Sequence, residues 1–340
     1  MKARPAIFAL LLFFAATTGL FSLFAPRFAT ASNMENLMSG FSFVAILAIG
    51  QAFPILVRGI DLSVGAIVAV VGMVTFDLSL MFHVPGFAVL PLVLIVGTLA
   101  GALNGALIVS LRLQPFIATL ATLAAYRGLV YSISGRQLVP GLSTTPITDK
   151  WITGLENYFD IGGMTGLSHA IAMPWFPLSF FVMLAVLAVF QFILLKTRFG
   201  RDIYTVGGNF EAARLAGIKT NRVIIAAYSI SGFCAAMAAL LLVARLTTST
   251  EALGTGMELS AIAAVVIGGV SLQGGTGSVF GPALGAFLLG IVLLGLTLLG
   301  VSQFVQQILT GVILLAAVSY DRLLVLRQQR RLKANLAAGH

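Results

Sequence analysis

Charge is scarce in this 340-residue chain: Asp, Glu, Lys and Arg together make up 9% of it, against roughly a quarter in a soluble domain. That scarcity, beside a hydrophobic content of 59%, excludes a water-soluble globular protein and leaves an integral membrane protein. Cysteine is almost absent. The single Cys234 lies inside an apolar run, so neither a disulfide framework nor a cysteine-held metal site is available. His83, His169 and His340 stand far apart, and there is no His-Glu-x-x-His, no nucleophile elbow and no clustered Asp, Glu and His for a metal. Also missing is Gly-x-x-x-x-Gly-Lys-[Ser/Thr]. Gly268-Gly269 and Gly274-Gly275-Thr276-Gly277 are glycine-rich but have no lysine after them, so the chain is expected to bind no ATP by that route and no cofactor of its own. Nothing supports an enzyme. The net charge of +9 does not point to nucleic acid, because the basic residues fall in loops and tails between apolar spans.

What the chain has in abundance is apolar runs of about twenty residues, each long enough to cross a bilayer. They fall at Ala6–Ala25, Leu37–Val57, Leu62–Phe82, Phe87–Leu111 and Phe116–Ser134, then at Phe176–Leu195, Val223–Ala244, a short Leu259–Val270, Val279–Leu299 and Gln303–Tyr320. The first has the basic start and apolar body of a signal peptide but is long enough to span, and is read as an uncleaved helix. The fold class is therefore all-α, with about ten transmembrane helices in a single membrane domain over residues 1–340. A first half (1–134) and a second half (176–320) flank an outer connection (135–175), which carries Asp149, Glu156 and Asp160; a tail (321–340) follows. With the N-terminus inside, every basic residue except Arg27, Arg127, Arg136, Lys150 and Arg245 falls on the cytoplasmic side, which places both ends there.

The longest basic interruption is Lys196–Arg222, with Lys196, Arg198, Arg201, Arg214, Lys219 and Arg222 against Asp202 and Glu211. Within it, Asn209-Phe-Glu-Ala-Ala-Arg-Leu-Ala-Gly217 reads as a short helix with an Asn cap and a terminating glycine. Two turns alone in water are marginal, so this helix is expected to rest on a partner protein.

A repeat relates the halves. Gly59-Ile-Asp-Leu-Ser opens the third span and Gly256-Met-Glu-Leu-Ser opens the eighth, which runs the opposite way, so five helices are expected to repeat inverted, with the substrate path at their interface. Asp61 and Glu258 sit at helix starts. There a carboxylate caps unpaired N–H groups, with Ser63 and Ser260 able to share that duty; a proton relay is the other reading. Gly97, Gly101 and Gly105, and again Gly281 and Gly285, recur every four residues and permit close helix crossing. Gln51, Asn104, Thr119, Thr122, Gln306 and Gln307 are the notable polar residues within spans. They either bond neighbouring helices or line a path for a hydroxyl-rich solute. Because the spans hold so few carboxylates, energy borrowed from another chain is favoured over ion coupling.

Glu211-Ala-Ala-Arg-Leu-Ala-Gly217 resembles the loop by which permease subunits of bacterial ABC importers engage their ATPases. Gly59-Ile-Asp-Leu-Ser-Val-Gly65 is similar to the signature of the ribose-type permease family, as are Arg198-Phe-Gly-Arg, Gly207-Gly-Asn209, Glu258-Leu-Ser-Ala-Ile-Ala-Ala-Val-Val-Ile-Gly-Gly269 and the ending Gln306-Gln-Ile308 with Asp321-Arg322. Arg58 departs from the small residue expected before Gly59. The resemblance implies a monosaccharide importer of the bacterial inner membrane. Its expected partners are a second permease subunit, identical or not, a cytoplasmic ABC ATPase that carries the Mg-ATP, and an external solute-binding protein. It also implies an ATPase-coupling role for Asn209, Glu211, Ala212, Ala213, Arg214 and Gly217. Nucleosides and branched-chain amino acids remain alternative cargoes. A stand-alone ion-coupled carrier using Asp61 is the reading from another class, and a membrane scaffold a third.

Overall fold

The computed structural model describes residues 3–134, 147, 149–156, 176–246, 249 and 252–338. The helices there are α1 (Ala3–Phe24), α2 (Ala31–Leu56), α3 (Val64–Phe76), α4 (Gly86–Leu111), α5 (Pro115–Ser134), α6 (Lys150–Thr153), α7 (Leu178–Lys196), α8 (Arg198–Gly208), α9 (Phe210–Leu215), α10 (Thr220–Leu246), α11 (Met257–Ile267), α12 (Phe280–Leu298) and α13 (Gln303–Ala338). A π turn, Asp77–Met81, prolongs α3. Eight helical stretches are long and apolar enough to cross a membrane, and Leu10–Phe24 and Met257–Ile267 are shorter apolar helices. These ten correspond one to one with the ten expected spans.

Burial along α4 shows what surrounds the bundle. Gly86, Val89, Val93, Gly97, Gly101, Asn104, Gly105 and Ile108 are buried, at the three- and four-residue spacing of one helix face. The opposite face carries exposed Leu92, Ile95, Leu99 and Leu103. A helix apolar on both faces needs lipid on the exposed one. α2 lies at the centre, with every residue from Val44 to Leu56 buried.

The packing repeats between the halves. α2 packs on α12 as α10 packs on α4, α3 rests on α5 as α11 rests on α13, and α3 touches α10 as α11 touches α2. The equivalent helices α2 and α10 pack on each other. That pattern pairs each helix of one half with its counterpart in the other. The first helix of each half breaks it: α1 lies on α12, whereas α7 lies chiefly on α2.

Without a hydrophobic force between helices in lipid, close approach of small residues supplies the packing. On α4, a Cβ at Gly101 would lie 2.1 Å from the Tyr228 carbonyl oxygen of α10, and one at Gly97 would lie 2.7 Å from that of Gly232. On α12, a Cβ at Gly281 or Gly285 would lie 1.9 or 2.2 Å from the carbonyl oxygen of Gly268 or Ala264. The expected close crossings are thus present, α4 on α10 and α12 on α11.

Local structure in the connections and the tail adds to the sequence reading. The polar stretch before Asn209 is not loop but the helix α8, capped by Thr197, whose hydroxyl oxygen accepts from the Gly200 N–H at 3.2 Å. The last helix does not end with the apolar span at Tyr320, because α13 continues to Ala338 through a segment rich in Leu, Arg, Gln and Ala, all good helix formers. In the outer connection, α6 and a 3-10 turn at Gly154–Glu156 are described, while Asp160 lies outside the described residues. Asp149 ties α6 down: its carboxylate accepts from the Trp151 N–H at 2.8 Å and from the Gly86 N–H, at the start of α4, at 2.7 Å.

Candidate functional site

Two polar assemblies interrupt the apolar bundle, one buried and one at its α8–α9 end. The buried one forms because the link between α2 and α3 turns inward. Asp61 is fully buried. Its Oδ1 accepts from the Ser63 N–H at 3.0 Å, the Ser63 hydroxyl at 2.7 Å and the Asn104 amide at 3.4 Å, while its Oδ2 accepts from the Ser231 hydroxyl at 2.9 Å. The Asn104 amide also donates to Ser63 Oγ at 2.7 Å. One carboxylate thus joins the α2–α3 link, α4 and α10. Buried charge needs such company, since a carboxylate stripped of water and left unpaired is severely penalised. The Thr119 hydroxyl of α5 lies 3.0 Å from the Ile60 carbonyl oxygen, fixing the same link from a fourth side.

The helix starts are only partly as expected. Asp61 lies two residues before Ser63, the cap residue of α3, and accepts from that residue's N–H and hydroxyl, while its other two bonds come from α4 and α10. Ser63 gives its hydroxyl to Asp61 and makes no side-chain cap. Glu258 does cap, its Oε1 accepting from the Gly256 N–H at 3.2 Å, whereas Ser260 donates to the Gly256 carbonyl oxygen at 3.3 Å and so caps no N–H. The two repeat motifs meet in space: a Cβ on Gly65 would lie 2.2 Å from Glu258 Oε2 and 2.4 Å from the Gly254 carbonyl oxygen. No expectation from sequence anticipated that contact. Equal depth of the two motifs in an inverted repeat is the signal that pointed towards it.

Of the polar span residues, Asn104 and Thr119 join the Asp61 assembly, and Thr122 donates to the Thr119 carbonyl oxygen at 3.2 Å on the same face of α5. Gln51 is buried in α2, with neither amide atom bonded among the described residues. Gln306 and Gln307 are elsewhere. Gln306 closes the turn between α12 and α13 by donating to the Val301 carbonyl oxygen at 2.9 Å and to Thr297 Oγ1 at 3.0 Å, and Gln307 faces outward.

Tyr228 supplies a control on how much each buried polar atom matters. Its hydroxyl is buried, faces Gly59 and has no hydrogen-bond partner among the described residues. An unpaired buried hydroxyl contributes no bond to lose. Tyr228→Phe is therefore expected to shift the thermal unfolding midpoint in detergent by no more than a degree or two, or to raise it; a large drop would mean that the hydroxyl is bonded.

At the α8–α9 end, Asn209 Oδ1 accepts from the Ala212 N–H at 3.0 Å, as an Asn cap should, and Gly217 ends the turn with φ +81°. Ala213 is the buried anchor of α9; Ala212 faces out. Glu211 and Arg214 pair with each other at 2.8 Å, each 64% exposed. Such an exposed pair is worth at most about 1 kcal/mol, so either partner is readily recruited elsewhere. Leu215 stands 83% exposed beside them, and a groove of about 660 Å³ between α4 and α9 is lined by Ser110, Arg112, Phe210, Glu211, Arg214 and Asn221. Leu215 and Arg112 were not singled out from the sequence, where each reads as the ordinary end of a helix. No group of three or more metal-binding side chains occurs among the described residues.

The same end holds Arg58, the residue out of pattern before Gly59. It adopts φ 65°, a left-handed conformation that costs a non-glycine residue roughly 1–2 kcal/mol. Its guanidinium reaches the last two carbonyl oxygens of α8, on Gly207 and Gly208.

Comparison with known proteins places this geometry. Residues 33–318 match the model of the family described as "Branched-chain amino acid transport system / permease component". The chain is 36% identical to the ribose import permease protein of Haemophilus influenzae, over 89% of each chain. It is likewise 36% identical to that of Bacillus subtilis, over 88% of each. To the D-allose transport system permease protein of Escherichia coli it is 34% identical, over 89% of this chain and 87% of the relative. No solved structure matches the chain.

Proposed function

Because this chain belongs to that permease family, we propose that it forms the membrane pathway of an ATP-driven importer for a monosaccharide. As a transport permease it is not an enzyme. The observation that carries the reading is α9: a two-turn helix with its own cap, anchored by Ala213 and presenting Glu211, Arg214 and Leu215 outward. An apolar side chain so exposed beside a weak, easily broken ion pair is a surface prepared for another protein.

In this reading the exposed face of α9 seats in a groove of a cytoplasmic ATPase, which carries the Mg-ATP, and the α8–α9 end faces the cytoplasm of a bacterium, inside its inner membrane. A second permease subunit completes the pathway, and an external binding protein delivers the sugar to the opposite end. The similarity to ribose and allose import permeases favours sugars over branched-chain amino acids and nucleosides. Asp61 is held by donors from several elements in a static tie, which suits a stand-alone ion-coupled carrier poorly.

Uptake of radiolabelled D-ribose tests the reading in cells expressing the permease with its ATPase and binding protein. Glu211→Arg is expected to cut uptake at least tenfold and to abolish co-purification of the ATPase, while the permease still inserts. Uptake that persists without any ATPase and collapses with the ion gradient would overturn it.

A further inference from the structure

Three backbones meet at the α8–α9 end with no side chain between them. Leu56 ends α2, and its carbonyl oxygen accepts from the Gly275 N–H, in the link between α11 and α12, at 2.9 Å. A Cβ on Gly207 would lie 1.8 Å from that same oxygen and 2.5 Å from the Gly275 nitrogen, and one on Gly275 would lie 2.6 Å from the Gly208 nitrogen. Tyr204 of α8 donates to the Gly277 carbonyl oxygen at 2.7 Å, a second tie to the same link. Across this junction lies Arg58. Its Nε and Nη2 donate to the carbonyl oxygens of Gly207 and Gly208, where a helix end leaves acceptors unpaired and the dipole is negative.

The position of Arg58 in the chain gives these bonds their significance. On one side, Gly208 is followed directly by Asn209, the cap of α9. On the other, Arg58 is followed by Gly59, by Ile60, whose carbonyl Thr119 holds, and by Asp61. We propose that Arg58 is the positioning residue that makes the end of α8 and the Asp61 turn move as one body, so that displacement of α9 reaches the buried tie of α3, α4 and α10. Tyr204–Gly277 and Gly275–Leu56 bond α8 to the end of α2 only by way of the α11–α12 link, and the direct contact of the Gly207 and Leu56 backbones transmits only a push. Pulling and twisting need bonds, and a planar guanidinium held at two points resists rotation as a single contact does not. This rests on the importer reading for the source of the displacement, not for the junction itself.

Arg58→Gly is the informative variant, since glycine accepts the left-handed backbone without strain and only the clamp is lost. The permease, reconstituted in proteoliposomes with its ATPase and binding protein, is assayed for ATP hydrolysed per D-ribose moved. Arg58→Gly is expected to leave hydrolysis within twofold of wild type and to cut ribose entry at least tenfold; Arg58→Lys, with the charge but not the fork, falls between. Spin labels at Thr205→Cys on α8 and Ile117→Cys on α5 report the junction directly. Their separation is expected to be the same with and without ATP in the wild-type background and to change with ATP in Arg58→Gly. Undiminished ribose entry in Arg58→Gly, hydrolysis falling in step with entry, loss of ATPase assembly, or label separations unaffected by the variant would each overturn the proposal. If the wild-type complex moves no ribose, the sugar reading has failed, and the label separations still decide the role of Arg58.

Discussion

Gly101→Leu is expected to leave no folded permease in the membrane. A single added carbon at this position would already stand 2.1 Å from the Tyr228 carbonyl oxygen and 2.9 Å from the Gly232 nitrogen, both backbone atoms of α10 that no rotamer change can move. Overpacking a core typically costs about 1–3 kcal/mol when side chains give way. Here the whole of α4 must retreat from α10, and Asn104, one turn further along, is carried out of reach of Asp61 and Ser63. Total stabilities are only about 5–15 kcal/mol, so loss of the crossing and the tie together exceeds what the fold can absorb. Gly101→Ala is expected to accumulate at a reduced level with a thermal midpoint in detergent lower by ten degrees or more. Wild-type amounts of monodisperse Gly101→Leu protein would show that α4 and α10 are not packed at this glycine.

The second large effect is at Asp61, where two substitutions separate a structural tie from a proton carrier. Asp61→Ala strands the donors of Ser63, Asn104 and Ser231 in an apolar interior. Removing one side of a buried charged network costs on the order of 3–5 kcal/mol, which is a large share of the total. Asp61→Asn keeps the shape and an acceptor oxygen, and the Ser231 hydroxyl can reverse its bond, so a loss of about 1–2 kcal/mol is expected. Thermal unfolding of both variants in detergent, with ribose uptake alongside, gives the answer. A tie predicts that uptake in Asp61→Asn follows the amount of folded protein. Full stability with no uptake would make the ionisable proton itself the functional element, and the relay reading would return.

How far the sequence reached depended on whether a feature is local. The spans were legible because lipid demands long apolar runs, and even the short α11 showed as a short run. The likeness of the halves was legible from two five-residue matches, Gly59–Ser63 and Gly256–Ser260, although the first lies in the link before α3 and the second runs from the cap of α11 into its first turn. The cap at Asn209 was legible because its partner is three residues away. The tie at Asp61 was not: its partners Asn104 and Ser231 stand 43 and 170 positions further along, and a first-turn carboxylate reads as a cap until those helices are placed. α8 was missed because glycines at 200, 207 and 208 read as loop, whereas two of them, Gly200 and Gly207, are there for close approach to neighbouring backbone. Arg58 looked like an anomaly in a turn because the carbonyls it serves lie 149 and 150 positions away.

The shortness of α11 has a consequence for how the chain is made. Eleven residues rise about 16 Å, roughly half of a hydrocarbon layer about 30 Å thick. As the polypeptide leaves the ribosome, such a segment cannot settle in the bilayer by itself, because its frayed ends would meet acyl chains with their polar groups bare. It is covered in part by α2, already made, and in part by α12, whose Gly281 and Gly285 fit against it and which is synthesised only afterwards. Biogenesis of the second half is thereby committed late, and a nascent chain truncated between Gly269 and Val279 is expected to leave α11 accessible from the aqueous side.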